Sequence, residues 1–345
     1  MRKLVFFALF LSLAFGGSIR HFYDNVGFCT RATQIEAIVK VATSLEKKSL
    51  AKESGTGYIA VISPHDDHIL AGRVYVHAIP KIAGAKTIVI FAVTHHKARV
   101  ALKDPKNVLI FDDYDAWEAP YSPIKVDTGL RTFLENSLGK GDFIVSRKAQ
   151  AIEHSAEAMI PFIQHYNRNA KILAIMVTEM NFWRMKELSQ KLAKAFISYM
   201  KEKHLTPGKD IAFIISTDTT HYGPDFNYSP FGLDEIAHKK ATAQDRELGR
   251  NFLSGQITEE KIRLFADRVW GEKITWCGRF SVPFGILTVH NLARLNGKKL
   301  IGTPLRYGDS YSLGVLPVFR MGIGLTAPFS LKHWVGYWAI GYRMK

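Results

Sequence analysis

Three apolar segments of this chain end in histidine or aspartate, and this pattern constrains the fold more than any other feature. They cover residues 58–65, 87–95 and 211–218 and are rich in β-branched side chains up to their polar ends. Such runs are typical of buried strands in a parallel sheet, whose carboxyl ends meet at one edge and bind ligands there. The sequence therefore predicts an α/β fold with a central, mostly parallel sheet flanked by helices, and a site at that edge.

The candidate site combines residue types that bind metals or transfer protons. Taken singly, each has a simpler interpretation, such as a half-buried loop histidine, a capping aspartate or glutamate, or an inert thiol. Their joint placement at strand ends favours a shared metal or acid/base site. Only one of His95 and His96 should face it, because adjacent residues of an extended segment point in opposite directions. The candidate residues are His65, His95, His154, Asp218, His221 and Cys277.

Composition favours one domain with a large core. The chain has 345 residues, is 47% hydrophobic and carries a net charge of +15. The basic residues are spread along the chain, for example on the solvated face of an amphipathic helix over 185–204. No zinc finger, RNP-type strand or basic tail is present, so we expect no nucleic-acid partner, whereas the charge could favour an anionic surface.

The N-terminus has the pattern of a cleaved signal peptide. Arg2 and Lys3 precede a short apolar run, and small residues follow at 16–18. The run is too short to cross a bilayer comfortably, and no other segment is apolar enough to do so. We therefore predict a signal peptide over 1–17, a mature domain over 18–345, and a periplasmic or secreted protein.

The chain has two cysteines, Cys29 and Cys277, so an exported form could contain one disulfide. Cys277 lies in the sequence Thr-Trp-Cys-Gly-Arg, which we interpret as the start of a helix over 277–295. A helix N-terminus and Arg279 would stabilise its thiolate. We therefore expect Cys277 to lie beside His65 and His95 and not to be bonded to Cys29.

Other patterns predict elements around these strands. Helical periodicity is present over about 72–82, and 313–319 is interpreted as a late strand. The aromatic stretch over 321–344 carries three basic residues and is interpreted as packing or interfacial structure. No repeat or linker is evident, in agreement with a single domain.

Several short motifs, in this order and spacing, resemble those of the Memo family, whose bacterial members are labelled AmmeMemoRadiSam system protein B. The resemblance covers residues 29–318. The motifs are Pro64-His65, Thr94-His95-His96, Glu153-His154-Ser155-x-Glu157, Ser216-x-Asp218-x-x-His221-x-Gly223 and Cys277-Gly278-Arg279.

The resemblance implies a single domain related in fold to class III extradiol dioxygenases. It also implies a metal site formed by His65, His95 and Cys277, with copper or iron as the ion and with redox activity. Asp218 and His221 would be the neighbouring acid and base of the family, and His154 the histidine of its Glu-His-Ser motif.

The chain departs from the family beside His65. The usual Pro-His-Ala-Gly-Tyr is Pro-His-Asp66-Asp67-His68 here, so we predict a more acidic pocket than in other members. A second histidine that commonly follows Glu-His-Ser-x-Glu is replaced near Met159. Export is a further difference from cytosolic members.

The resulting hypothesis is an exported metal-binding protein with a copper- or iron-dependent redox activity on a small molecule. Two imidazoles and a thiolate suit late transition metals and leave a fourth position open. His221 would act as general acid or base, Asp218 would orient it or stabilise its charge, and His154 would line the pocket. The alternatives are a non-catalytic metal carrier or interaction protein, and a zinc hydrolase with a metal-activated water.

Overall fold

The computed structural model describes residues 17–53 and 55–345, so the predicted signal peptide lies almost entirely outside the described residues. A large central sheet is surrounded by helices. Its strands and those of a small side sheet are β1 (Ile19–Arg20), β2 (Tyr58–Ser63), β3 (Thr87–Val93), β4 (Leu109–Phe111), β5 (Ala116–Trp117), β6 (Ile124–Lys125), β7 (Phe143–Val145), β8 (Lys171–Val177), β9 (Ile211–Ser216), β10 (His221–Tyr222), β11 (Gly255–Gln256), β12 (Leu300–Asp309) and β13 (Trp334–Met344).

The sheet has 10 strands, in the order β11-β12-β13-β2-β9-β3-β8-β4-β7 with β10 paired to β13. The neighbours β2, β9, β3 and β8 run parallel. Outside them, β13 is antiparallel to β2, and β4 is antiparallel to β8. The predicted single α/β domain with a central sheet is confirmed, and its centre is the parallel part on which the site is built.

Helices cover the sheet. They are α1 (Ala32–Leu45), α2 (Lys47–Leu50), α3 (His68–Ala78), α4 (His96–Ala101), α5 (Thr128–Ser137), α6 (Arg147–Ala151), α7 (Ile160–Tyr166), α8 (Phe182–Glu202), α9 (Glu235–Phe252), α10 (Glu259–Gly271), α11 (Ser281–Leu295) and α12 (Ser310–Leu313). Helix α11 packs on β3, β8 and β9, and α8 packs against α11. Helix α3 packs on β2, β12 and β13 and also contacts α1. Among the described residues, no helix combines the length and apolar character needed to span a membrane.

Two sequence-based expectations about these elements are wrong in detail. The predicted helix over 72–82 runs from His68 to Ala78 instead, and Pro80 lies in the single 3₁₀ turn that follows it. Residues 313–319 do not form a strand, because Gly314 adopts a φ of 64° and Pro317 has no N–H to donate. The C-terminal aromatic stretch agrees with the packing alternative, because it contains β13, which is buried along most of its length between β12 and β2.

Candidate metal centre

The candidate centre lies at the carboxyl edge of three adjacent parallel strands, β2, β9 and β3. His65 follows β2, Asp218 follows β9 and His95 follows β3. Neighbouring strands are about 4.8 Å apart, so residues at equivalent positions past their ends come within contact distance. The structure thus brings together the three strand-end groups that the sequence analysis proposed.

His65 is fully buried, and both of its ring nitrogens have defined surroundings. Nδ1 lies 2.8 Å from Ser216 Oγ, and that hydroxyl donates to the Ser155 carbonyl at 2.7 Å. Because the hydroxyl proton is used there, Oγ accepts from Nδ1–H, and the lone pair of the imidazole is on Nε2. Nε2 lies 3.3 Å from Cys277 Sγ. His65 therefore presents a nitrogen lone pair towards the thiol.

Glu153 holds His95 in the tautomer with the proton on Nδ1, as Ser216 does for His65. The Glu153 carboxylate accepts the backbone N–H of His95 at 2.9 Å and lies 2.8 Å from His95 Nδ1. The charge of His95 and its hydrogen bond hold the pKa of Glu153 well below its usual value, although burial opposes the charged form. A carboxylate behind an imidazole is the usual support of a metal-ligating histidine. His96, by contrast, is exposed at the start of α4.

Cys277 reaches the centre from the segment before α11. Asp218 N–H donates to Sγ at 3.1 Å, and Gly278 N–H donates to Thr217 Oγ1 at 3.1 Å. A Cβ at Gly278 would lie only 2.3 Å from that Thr217 oxygen, so glycine allows the approach of the two segments. Cys29 and Cys277 are both free, as the sequence analysis expected.

The structure does not show the expected stabilisation of a Cys277 thiolate by a helix N-terminus and Arg279. Helix α11 begins at Ser281 rather than at Cys277, and Arg279 is exposed. Burial, together with the negative charge of Asp218, raises the pKa of the Cys277 thiol well above its ordinary value in the absence of a metal. A bound cation would oppose this effect and favour the thiolate.

The side chains of the cluster form three overlapping groups of three residues that could each hold a metal ion. Within each group, one ligand atom per residue lies within 4.8 Å of the other two. A tetrahedral ion with bonds of ~2.1 Å to nitrogen and ~2.3 Å to sulfur separates its ligand atoms by roughly 3.4–3.8 Å. The spacing is therefore compatible with a bound ion after small adjustments of side chains. The groups are His65, His95 and Cys277; His95, Glu153 and His154; and Asp218, His221 and Cys277.

His154 and His221 are uncharged imidazoles beside this cluster. The His154 ring stacks on His95 with centroids 4.3 Å apart. Burial lowers the pKa of His154 and of His221 to about 4. His221 Nδ1 lies 3.0 Å from the Thr219 carbonyl and 3.1 Å from the Thr275 carbonyl, so Nδ1 carries the proton and Nε2 the lone pair.

These contacts replace the expected orientation of His221 by Asp218, and the alternative that Asp218 stabilises the charge of His221 stays a prediction. The two backbone carbonyls orient His221, whereas Asp218 Oδ1 accepts the N–H of His65 at 2.8 Å and Oδ2 lies 3.4 Å from His65 Nε2. Burial and the nearby charge of Asp66 raise the pKa of Asp218 well above its usual value. Asp218 therefore acts on His65 and Cys277.

Asp245, on α9, is a supporting residue that the sequence analysis missed. Its buried carboxylate accepts the hydroxyls of Thr219 and Thr220, each at 2.6 Å, and the indole N–H of Trp276 at 2.7 Å. It thereby joins the segment after β9 to the segment that carries Cys277. The signal available was an acidic residue among the buried positions of an amphipathic helix.

The unusual Asp66-Asp67-His68 sequence has mixed roles. Asp66 and Asp67 line the cleft described below, in keeping with the predicted acidic pocket. His68 does not face it: its Nδ1 accepts the N–H of Cys29 at 2.9 Å, and its Nε2 lies 2.9 Å from the Ala158 carbonyl. His68 therefore joins three parts of the fold.

A cleft of about 890 Å³ opens onto the cluster. The segments 23–28 and 325–328 form part of its walls. Asp67 accepts the N–H of Thr326 at 2.6 Å, and Gly324 N–H donates to the Val26 carbonyl at 2.8 Å. Phe28, Leu70 and Leu325 give the cleft apolar surfaces next to the histidines. An apolar cavity with a few convergent polar groups is typical of a small-molecule site.

The fold and the cluster define an α/β protein with a candidate metal centre that opens onto a cleft. The sequence profile described as "Memo-like protein" matches residues 30–309, and the chain belongs to this family. The dioxygenase-like fold expected for the family fits the architecture described above.

Individual relatives are all moderately similar, and each is named a MEMO1 family protein. The protein of Methanococcoides burtonii is 26% identical over 223 residues, covering 64% of this chain and 69% of the relative. That of Aquifex aeolicus is 29% identical over 167 residues, covering 48% and 55%. That of Thermococcus kodakarensis is 27% identical over 250 residues, covering 69% and 76%. The chain thus spans little more than half the length of some relatives it matches.

Proposed function

We propose that this protein is an exported, metal-dependent redox protein acting on a small molecule, with copper or iron bound by His65, His95 and Cys277. The observation that carries the proposal is the convergence of two imidazole nitrogens and one thiol within 4.8 Å. Nδ1 of His65 is hydrogen-bonded to Ser216, and Nδ1 of His95 is hydrogen-bonded to Glu153. Proteins commonly orient metal-ligating histidines by such a hydrogen bond to the second ring nitrogen.

The donor set suits the proposed ions. A soft sulfur and two borderline nitrogens favour late transition metals over magnesium or calcium. Three protein ligands leave one coordination position for water or substrate. Metal binding would also supply a positive charge that favours loss of the proton from the buried Cys277 thiol.

Within the proposed mechanism, the bound ion supplies electron transfer and an open coordination position. The apolar walls of the cleft bind the small molecule and exclude water around it. His221 Nε2 carries a lone pair, because Nδ1–H is held by two carbonyls, so it is the group able to accept a proton from the substrate. His154, stacked on His95, forms the side of the cleft next to that ligand.

The test is metal analysis of the protein purified from its native compartment, followed by turnover with dioxygen and ascorbate. We expect about one copper or iron per chain and oxygen consumption that is lost in Cys277→Ser. A matched control is Cys29→Ser, which removes the other thiol, a fully buried one. Zinc without redox activity would favour a hydrolase, and copper or iron without turnover would favour a carrier; either result contradicts the redox proposal.

Export is a separate part of the proposal and rests on the residues before Gly17. The charged start, the short apolar run and the small residues after it support removal of the segment up to about residue 16. N-terminal sequencing of the protein from the periplasm or medium should begin near residue 17. Natively produced protein that retains Met1 would contradict this part and leave the metal site unaffected.

A further inference from the structure

The candidate centre lies between two cavities rather than at the end of one. Besides the large cleft, a small cavity of about 160 Å³ reaches the cluster. The two share His95 and His96 and no other lining residue. Cys277 lines only the small cavity, whereas His65 and His221 line only the large cleft. A molecule would therefore reach the Cys277 thiol from a different cavity than it would reach His65 and His221.

The small cavity has a positively charged lining. Arg99 and Arg279 both contribute to it, and its acidic residue, Glu179, is paired with Lys106 at 2.9 Å. Arg279 has no ion pair within the described part of the chain, and Arg99 has only a long contact of 3.9 Å with Asp104. The guanidinium charges are therefore largely uncompensated, and positive charge in a narrow cavity concentrates small anions there.

The volume of the cavity limits what can enter. A space of about 160 Å³ corresponds to roughly five water molecules at ~30 Å³ each. The cleft, at about 890 Å³, admits a much larger molecule. Val93, Val177 and Phe280 add apolar surface to the small cavity, and Thr94 and Ser281 add uncharged hydroxyls. The selectivity of the cavity for charge therefore comes from the arginines.

We propose that the small cavity is a second entrance to the centre, selective for anions of carboxylate size or smaller, with Arg99 and Arg279 as its specificity-determining residues. A small anion reaches the Cys277 side of the centre by this route while a larger molecule occupies the cleft. The inference rests on the proposed function only in taking Cys277 as part of the reactive centre.

The test compares two thiol reagents of similar size and different charge on metal-free protein. Iodoacetate is anionic and iodoacetamide is neutral, and both react with the same thiolate, so the ratio of their rates cancels any change in the pKa of Cys277. Peptide mapping separates Cys277 from Cys29, whose thiol is buried and whose pKa is strongly raised by that burial. We expect the iodoacetate-to-iodoacetamide ratio at Cys277 to fall at least fivefold in the Arg99→Gln/Arg279→Gln double variant.

Two controls keep the outcome specific. Arg250→Gln removes an exposed arginine from α9 and should leave the ratio unchanged. Leu325→Trp narrows the cleft and should leave both rates at Cys277 unchanged, since the reagents arrive through the other cavity. An unchanged ratio in the double variant, or loss of both reactions in Leu325→Trp, would overturn the proposal.

Formate provides a direct probe of anion occupancy. Formate at millimolar concentration should slow the iodoacetamide reaction of the unmodified protein by competing for the cavity, and should slow it less in the double variant. An equal effect in both proteins would contradict anion selectivity. Because no metal is present in these measurements, their result does not depend on which ion the native protein holds, and a failure of the redox proposal would leave it intact.

Discussion

Glu153 and His95 form a two-point contact, in which the carboxylate accepts both the backbone N–H and the Nδ1–H of the same residue. The carboxylate therefore fixes the position of the residue and the orientation of its ring. If His95 is a metal ligand, Glu153→Gln should lower metal affinity about 10–100-fold, because the amide supports the imidazole less well. Competition with a chelating dye measures this, and the exposed Glu202→Gln serves as control. Unchanged affinity would show that His95 does not bind the metal.

Asp245 should matter for both stability and the site. Asp245→Asn replaces an acceptor-only carboxylate by an amide that faces two threonine hydroxyls and an indole N–H with donors of its own. We expect a loss of about 2–4 kcal/mol in the free energy of unfolding, together with weaker metal binding. Tyr307→Phe removes one hydroxyl that donates to the same carboxylate at 3.0 Å, and it should lower the free energy of unfolding by a smaller amount. Equal losses in the two variants would refute the joining role of Asp245.

His68 should be structural, in contrast to His65. His68→Ala removes a fully buried ring with two backbone contacts and a stacking contact on Phe28, so the free energy of unfolding should fall by about 2–4 kcal/mol. The amount of metal bound per folded chain should stay the same. His21→Ala, at an exposed side chain, is the stability control. Loss of metal from folded His68→Ala would mean that the cluster extends further than described.

His77 predicts a pH dependence of stability away from the centre. Burial opposes its charged form, but hydrogen bonds to Glu46 and Glu53 outweigh burial and raise the pKa of His77. A raised folded-state pKa gives stability that is full below the unfolded value of about 6.5 and is lost as the pH rises through the folded value. Between pH 6 and 9, the free energy of unfolding measured with urea should therefore fall more steeply with pH in the unmodified protein than in His77→Gln. Parallel curves would disprove this contribution.

The sequence predicted the parallel centre of the sheet because its strands are continuous apolar runs with polar residues directly after them. It did not predict β13, whose glycines and aromatic residues lack that pattern and whose pairing depends on β2 and β12, far away in the chain. The stretch after Leu313 was misinterpreted because its apolar residues suggested a strand, although Gly314 and Pro317 prevent one.

The candidate ligands were found from strand ends and from the resemblance, but their supports were not. Glu153 was named only as part of the Glu-His-Ser motif and was given no role, because its contact with His95 crosses 58 positions of the chain. Asp245 lies within a long helix, where its buried environment is created only by residues from distant segments. Such contacts depend on tertiary packing, and no local pattern specifies them.

The account depends most on a shared ion between His65, His95 and Cys277. X-ray absorption at the metal edge of the protein purified from its native compartment tests this directly. We predict one sulfur at about 2.3 Å and two imidazole nitrogens at about 2.0–2.1 Å, with the sulfur contribution absent in Cys277→Ser. A bound ion with only nitrogen and oxygen ligands, or a spectrum identical in Cys277→Ser, would contradict the proposed centre.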